Sequence, residues 1–157
     1  RTPASSANLG PGFDALGLAL DLWNEAVVDT EGPAGEITLE GTETALLDGR
    51  ENLTLTAMQR LADEVGQPLP GFSLVVRTDV PVARGLGSSA AALVAGLVAA
   101  NRLLGDPLTV SQLFSIAWQM EGHGDNVGAS LYGGAVLAVS QMLQNNGGFS
   151  AWRPGHR

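Results

Sequence analysis

Apolar residues recur at helical spacing in three stretches of the chain. From about Asn52 to Val65, the residues Ala57, Met58, Leu61, Ala62 and Val65 share one stripe. That predicts an amphipathic helix with Gly66 just past its end. A second stretch opens at Ser88 or Ser89 and runs through AAALVAGLVAANRLL to Gly105; it is apolar nearly all round and is therefore expected to lie buried. The third begins after Pro107, where Thr109 and Gln112 have capping-box spacing. Val110, Leu113, Ile116, Ala117 and Met120 then form one face that ends at Glu121. Alternation of period two marks strands at Glu25 to Thr30 and Glu36 to Leu39, Phe72 to Val76 is a β-favouring run, and Ala135 to Val139 is a short apolar run behind Gly133 and Gly134. A turn at Gly32 to Gly35 is expected to join neighbouring strands as a hairpin. Strands first and helices inserted later predict a mixed α+β domain rather than a regular βαβαβ array.

The domain is expected to occupy residues 1–140, because 141–157 (QMLQNNGGFSAWRPGHR) shifts to Asn, Gly, Pro and Arg with no sustained period and reads as a linker-like or irregular tail. The chain starts at Arg1, close to a dense motif, so the first strand looks clipped and the whole looks like a fragment or a first domain.

Composition narrows the chemistry. The 157 residues are 45% hydrophobic, enough for one domain and cramped for two. There are 16 acidic and 8 basic residues, and every basic one is Arg, so mechanisms built on a Walker lysine or a lysine Schiff base are excluded. A net charge of −8 argues against a nucleic-acid partner, and the absence of Cys removes disulfides, thiolate nucleophiles and Cys-ligated zinc. No signal peptide and no apolar run of membrane-spanning length is seen, so no membrane partner is expected and a soluble, cytoplasmic protein is the default expectation.

The strongest chemical signal is the run Pro81-Val82-Ala83-Arg84-Gly85-Leu86-Gly87-Ser88-Ser89-Ala90-Ala91, between a strand and the most buried helix. Glycines let backbone approach a ligand, and a helix opening supplies free N–H groups and positive potential, which together suit an anion. Overall charge cannot gather an anionic nucleotide here; local donors and a divalent cation must. The string Gly85-x-Gly87-x-x-Ala90 also fits a dinucleotide fingerprint. Against that, Pro81 and Arg84 separate it from its strand, and Asp106 follows a helix end rather than a strand. A third reading is a Gly-Ser helix cap with no ligand.

Three segments together carry a family resemblance. Thr2-Pro-Ala-Ser-Ser-Ala-Asn-Leu-Gly-Pro-Gly-Phe-Asp-Ala-Leu-Gly17 resembles the N-terminal signature of homoserine kinases, within the GHMP kinase superfamily. The loop from Pro81 to Ala91 resembles that superfamily's phosphate-binding motif, and Glu121-Gly-His-Gly-Asp-Asn126 resembles a Glu-Gly-His-Pro-Asp-Asn turn. The resemblance implies an N-terminal α+β domain with a left-handed βαβ crossover, the ferredoxin-like C-terminal domain being absent. It implies ATP-dependent phosphorylation of the side-chain hydroxyl of L-homoserine, a step towards threonine. It leaves a homodimer open. Another small alcohol as acceptor, or a non-catalytic binding or dimerising remnant, are the competing readings.

The resemblance also suggests roles. The loop Pro81 to Ala91 would hold the ATP phosphates, Asn52 would contact adenine or else only cap its helix, and Ser89 with Glu121 would hold Mg²⁺. A carboxylate at a helix C-terminus is opposed by the dipole, which favours a cation there. Asp125 and Asn126 are the candidate catalytic pair, through positioning more than base catalysis. His123 is read as a hydrogen-bonding turn residue. Gly124 stands where the family has Pro, which is expected to loosen the turn that places Asp125. Asn8 and Asp14 would meet the substrate ammonium, although an Asx turn explains them equally well. Trp23, Trp118 and Trp152 fall outside the motifs and are read as packing residues.

Overall fold

The computed structural model describes residues 1–41, 43–47, 49–141 and 148–152. A six-stranded sheet forms its base. Strands β1 (Thr2–Ser6), β2 (Leu16–Asp29) and β3 (Ile37–Gly41) come first, then a 3-10 turn at Thr44–Leu47 and helix α1 (Leu53–Val65). Next are β4 (Ser73–Thr78), α2 (Ser88–Leu103), α3 (Val110–Glu121), α4 (Asp125–Tyr132), β5 (Ala135–Gln141) and β6 (Gly148–Trp152). The sheet order is β3-β4-β2-β5-β6, with β1 paired to β2 off that path. The mixed α+β expectation holds.

Helix boundaries follow their caps. Asn52 accepts the amide of Leu55 and Gly66 takes a left-handed conformation, as the stripe on α1 required. The Thr109–Gln112 capping box opens α3. α2 is buried nearly all round, with Ala90, Ala91, Leu93, Val94, Ala95, Leu97 and Ala100 in the core, because α1, α3 and the sheet surround it.

Three expectations need correction. The Gly32 to Gly35 turn does not make a hairpin, because β4 lies between β2 and β3: it pairs antiparallel with β2 and parallel with β3. The apolar run Leu74-Val75-Val76 takes the interior place, burying Leu74 and Val76 beneath the helices. The more polar β3 is left at the edge, and the crossover through α1 leads from it back to its parallel partner β4. The strand expected at Glu25 to Thr30 is far longer, starting at Leu16; its Leu- and Ala-rich first half has weak strand propensity but pairs with β1 and β5. Within 141–157, expected to be irregular, the described residues Gly148–Trp152 form β6 against β5. The rest of that stretch lies outside the described residues.

Gly96 marks where α1 and α2 touch backbone to backbone: a Cβ there would stand 2.1 Å from the Thr54 carbonyl oxygen. Gly96→Ala is therefore expected to lower stability by about 1–3 kcal/mol in denaturant titrations, despite the ~1 kcal/mol that Ala gains in helix propensity.

An ion-pair ladder runs across neighbouring strands on an exposed face of the sheet. Arg1 meets Glu25 at 2.8 Å, Glu25 meets Arg77 at 3.4 Å and Arg77 meets Glu40 at 2.7 Å. The hydrogen bond from Arg1 holds the Glu25 carboxyl below its ordinary value of 4.5. Its stabilisation is thus complete above that value and is lost as pH falls through the lower, folded one. Melting curves should show a shallower acid decline for Glu25→Gln than for the unaltered chain, and added salt should narrow the gap.

Candidate functional site

Between β4 and α2 the backbone turns left-handed at every second residue: Ala83, Gly85 and Gly87 have φ of 57°, 71° and 64°. Alternation of this kind swings successive N–H groups towards one side, which makes a nest for an anion. The first turn of α2 continues the run. Gly87 caps that helix without a side-chain hydrogen bond, and the first amide of this stretch to find a helical acceptor is that of Ala91, on the Gly87 carbonyl at 2.9 Å. Among the described residues no side chain accepts from the amides of Gly85 to Ala90. A capping role alone does not account for that. Nor does the dinucleotide pattern, since the loop leaves its strand through Val80 and Val82, both buried, before the first glycine.

The loop is held from three sides. The Ser5 amide donates to the Leu86 carbonyl at 3.0 Å. Glu43 accepts the Val82 amide at 3.1 Å and pairs with Arg84 at 3.3 Å. A Cβ on Gly87 would stand 2.1 Å from Ser5 Oγ and 3.1 Å from Asn126 Oδ1, so β1 and α4 press directly on the loop's last residue. Ser5 Oγ in turn donates to Asn126 Oδ1 at 2.9 Å.

The loop walls a cavity of about 590 Å³. Of the residues singled out in the sequence, Val82, Ala83, Arg84, Gly85, Leu86, Gly87, Ser88, Ser89, Asn52, Glu121 and Asn126 line it, and His123 joins them. Glu121, at the last position of α3, accepts a hydrogen bond from the Ser89 hydroxyl. That places a carboxylate and a hydroxyl side by side at the loop.

Others are not brought to the cavity. Pro81 does not line it, and Ala90 and Ala91 are fully buried in the core. The Ala91 amide, already used within α2, is not available to a ligand. Asn8 and Asp14 are exposed, both left-handed at φ 57° and 54°, and the Asp14 amide donates to Asn8 Oδ1 at 3.0 Å. This is the local loop hydrogen bond that the Gly-Pro-Gly sequence allowed for.

Asp125 opens α4 and is wholly buried. Its Oδ1 accepts the Asn126 amide at 2.7 Å and lies 2.9 Å from His123 Nδ1, while its Oδ2 has no partner among the described residues. It therefore lies beneath the cavity and meets it only through His123 and Asn126. Gly124 does not loosen this turn. It is buried under the Trp118 indole, and any Cβ there, a proline's included, would come within 2.2 Å of the ring. Of the other tryptophans, Trp23 is 40% exposed and is not a core packing residue; the side chain of Trp152 lies outside the described residues.

Sequence reasoning missed Ser5, Asn24, Glu43, Arg50, Glu51, Thr54 and Thr78. All but Ser5 and Glu43 line the cavity. Asn24 and Thr78 are strand partners, a juxtaposition visible only once the register of β2 and β4 is known.

Fold and loop together define the class: an α+β domain with a cavity walled by a helix-opening loop of free amides. The family model described as "GHMP kinases N terminal domain" matches residues 52–134, and the chain belongs to that family. It is similar to the homoserine kinase of Deinococcus radiodurans, 48% identical over 143 residues, which are 91% of this chain and 47% of that protein. The homoserine kinase of Desulfitobacterium hafniense is 46% identical over 141 residues, 89% of this chain and 47% of that protein. Among solved structures, the crystal structure of homoserine kinase from Cytophaga hutchinsonii superposes with a TM-score of 0.76 at 32% identity, covering 97% of this chain and 50% of that one. The chain thus spans about half the length of the curated relatives it matches. No helix among the described residues is long and apolar enough to cross a membrane.

If the Trp118–Gly124 contact holds the turn, Gly124→Ala should cost about 1–3 kcal/mol of stability, and near-ultraviolet circular dichroism should show a displaced indole.

Proposed function

We propose that this chain is the nucleotide-binding part of a cytoplasmic kinase that transfers the γ-phosphoryl group of ATP to the side-chain hydroxyl of L-homoserine, giving O-phospho-L-homoserine on the way to threonine. The observation that carries the reading is the run of left-handed residues at Ala83, Gly85 and Gly87, which leaves amides without acceptors beside Ser89 and Glu121. Relatives named homoserine kinase, at 46% and 48% identity, supply the acceptor.

Phosphoryl transfer asks the protein mainly for position and charge neutralisation. The amides from Gly85 to Ser89 bind phosphate oxygens, and Arg84, exposed and tethered to Glu43, adds a positive charge at the rim. Ser89 and Glu121 fit Mg²⁺ by donor chemistry, since hard oxygens from one carboxylate and a hydroxyl are what that ion takes beside phosphate. Among the described residues no group of three or more His, Asp or Glu could hold a metal, so an ion at Ser89 and Glu121 would rely on the nucleotide's own oxygens. Bound there, Mg²⁺ supplies neutralisation of the charge on the transferred group.

Asn126, between Ser5 and the loop, holds the acceptor hydroxyl near the phosphate end of the cavity. Asp125 acts as a positioning residue: it fixes His123 and the start of α4 and does not take the proton itself. Asn8 and Asp14 meet the substrate ammonium from the exposed loop outside the cavity.

Calorimetry with ATP tests this. Mg²⁺ should tighten ATP binding to the unaltered chain, and Ser89→Ala and Glu121→Gln should each remove about tenfold of that affinity while changing Mg²⁺-free binding little. A chain that binds no nucleotide, or variants that bind as the unaltered chain does, would refute the reading.

A further inference from the structure

Two carboxamide nitrogens at the cavity, Nδ2 of Asn52 and Nδ2 of Asn24, have no hydrogen-bond partner among the described residues; Asn52 belongs to a recognised motif and its Oδ1 caps α1. The other is Asn24 of β2. It is 3% exposed, and its Nδ2 has no partner among the described residues. Its main chain is committed: it stands opposite Thr78 on one side and Thr2 on the other, and its carbonyl accepts from Thr2 Oγ1 at 3.4 Å. The backbone position is therefore fixed by the sheet and the side chain is left over. A buried amide that no protein group satisfies costs free energy, and an apolar residue of similar size would avoid that cost. The carboxamide at this position answers to something that enters the cavity.

Its surroundings say what. Leu39, Leu53 and Val76 line the cavity near the sheet, with Thr78 across the ladder from Asn24, whereas the free amides, Ser89 and Glu121 belong to the loop side. An apolar wall with isolated donors and acceptors suits a flat heteroaromatic ring, and the loop side suits the charged end of the same ligand. A carboxamide offers a donor and an acceptor side by side, the pattern that pairs with an exocyclic amino group and the adjacent ring nitrogen of adenine.

We propose that Asn24 reads the base of the bound nucleotide through two hydrogen bonds from its carboxamide. This rests on the nucleotide-binding reading above, and the test separates the two. Calorimetry is run on the unaltered chain, Asn24→Leu and Asn24→Ser, with ATP, adenosine and inorganic tripolyphosphate. Both substitutions are expected to weaken ATP and adenosine by about tenfold and to leave tripolyphosphate unchanged. In the absence of ligand, Asn24→Leu should melt at the same temperature as the unaltered chain or higher, because it removes an unsatisfied group; a merely structural asparagine would melt lower when replaced.

Equal loss for all three ligands, or loss for none, overturns the proposal. An unaltered chain that binds tripolyphosphate but not adenosine overturns it too, and leaves the phosphate cradle standing. Adenosine binding that depends on Asn24, with no tripolyphosphate binding, supports the base contact and removes the cradle instead.

Discussion

Gly87 has no room for a side chain, and the site depends on that. Its α-carbon is pressed against Ser5 of β1 and Asn126 of α4, and its left-handed backbone turns the loop from β4 into α2. Three elements distant in sequence are thereby brought to one point: the first strand, the loop at 81–87 and the helix at 125–132. A side chain at 87 would collide with Ser5 and push the loop away from Asn126. The Ser5 amide on the Leu86 carbonyl and the Glu43 carboxylate on the Val82 amide fix the residues to either side. The loop is preorganised by these contacts, so little ordering entropy is left to spend when an anion arrives.

Preorganisation matters more in a chain of net charge −8 than it would in a basic one. The long-range field repels a triphosphate, so attraction must come from fixed dipoles at short range. The free amides and the helix terminus provide it without adding a formal charge. Arg84 and Arg50 both line the cavity, but Arg84 already faces Glu43, and Glu51 and Glu121 face the same space. Cations and anions nearly balance around the cavity. A divalent ion next to Glu121 would tip that balance, which is the electrostatic reason the proposed chemistry needs one.

Local signals were strong where a cap or a stripe carried them. The ends of α1 and α3 are readable from Asn52, Gly66, Thr109 and Gln112 because capping is a contact between near neighbours. The loop's backbone turn and the start of α2 are legible from its glycines and serines for the same reason. What escaped was whatever tertiary pairing decides. The first half of β2 is Leu and Ala with little strand preference, and only β1 and β5 on either side make it a strand. α4 is another case: the sequence places only its first two residues, Asp125 and Asn126, on a turn, and Gly128 and Ser130 weaken any helical pattern beyond them, yet both belong to the helix and Ser130 is buried. Asn24 was silent because nothing in the sequence brings it across the ladder from Thr78.

Burial sets the surroundings of Asp125, which the sequence reads as a positioning more than a base-catalytic residue. Its carboxylate is enclosed, with one oxygen shared between His123 and the Asn126 amide and the other without a partner among the described residues. With no exposed surface of its own, the carboxylate is in contact with the ring beside it and with the start of the helix it opens. The Trp118 indole is seated on Gly124, the residue before Asp125. The turn from Glu121 to Asn126 thus divides its labour by depth: Glu121 and Asn126 border the cavity, His123 stands between, and Asp125 holds the arrangement from below.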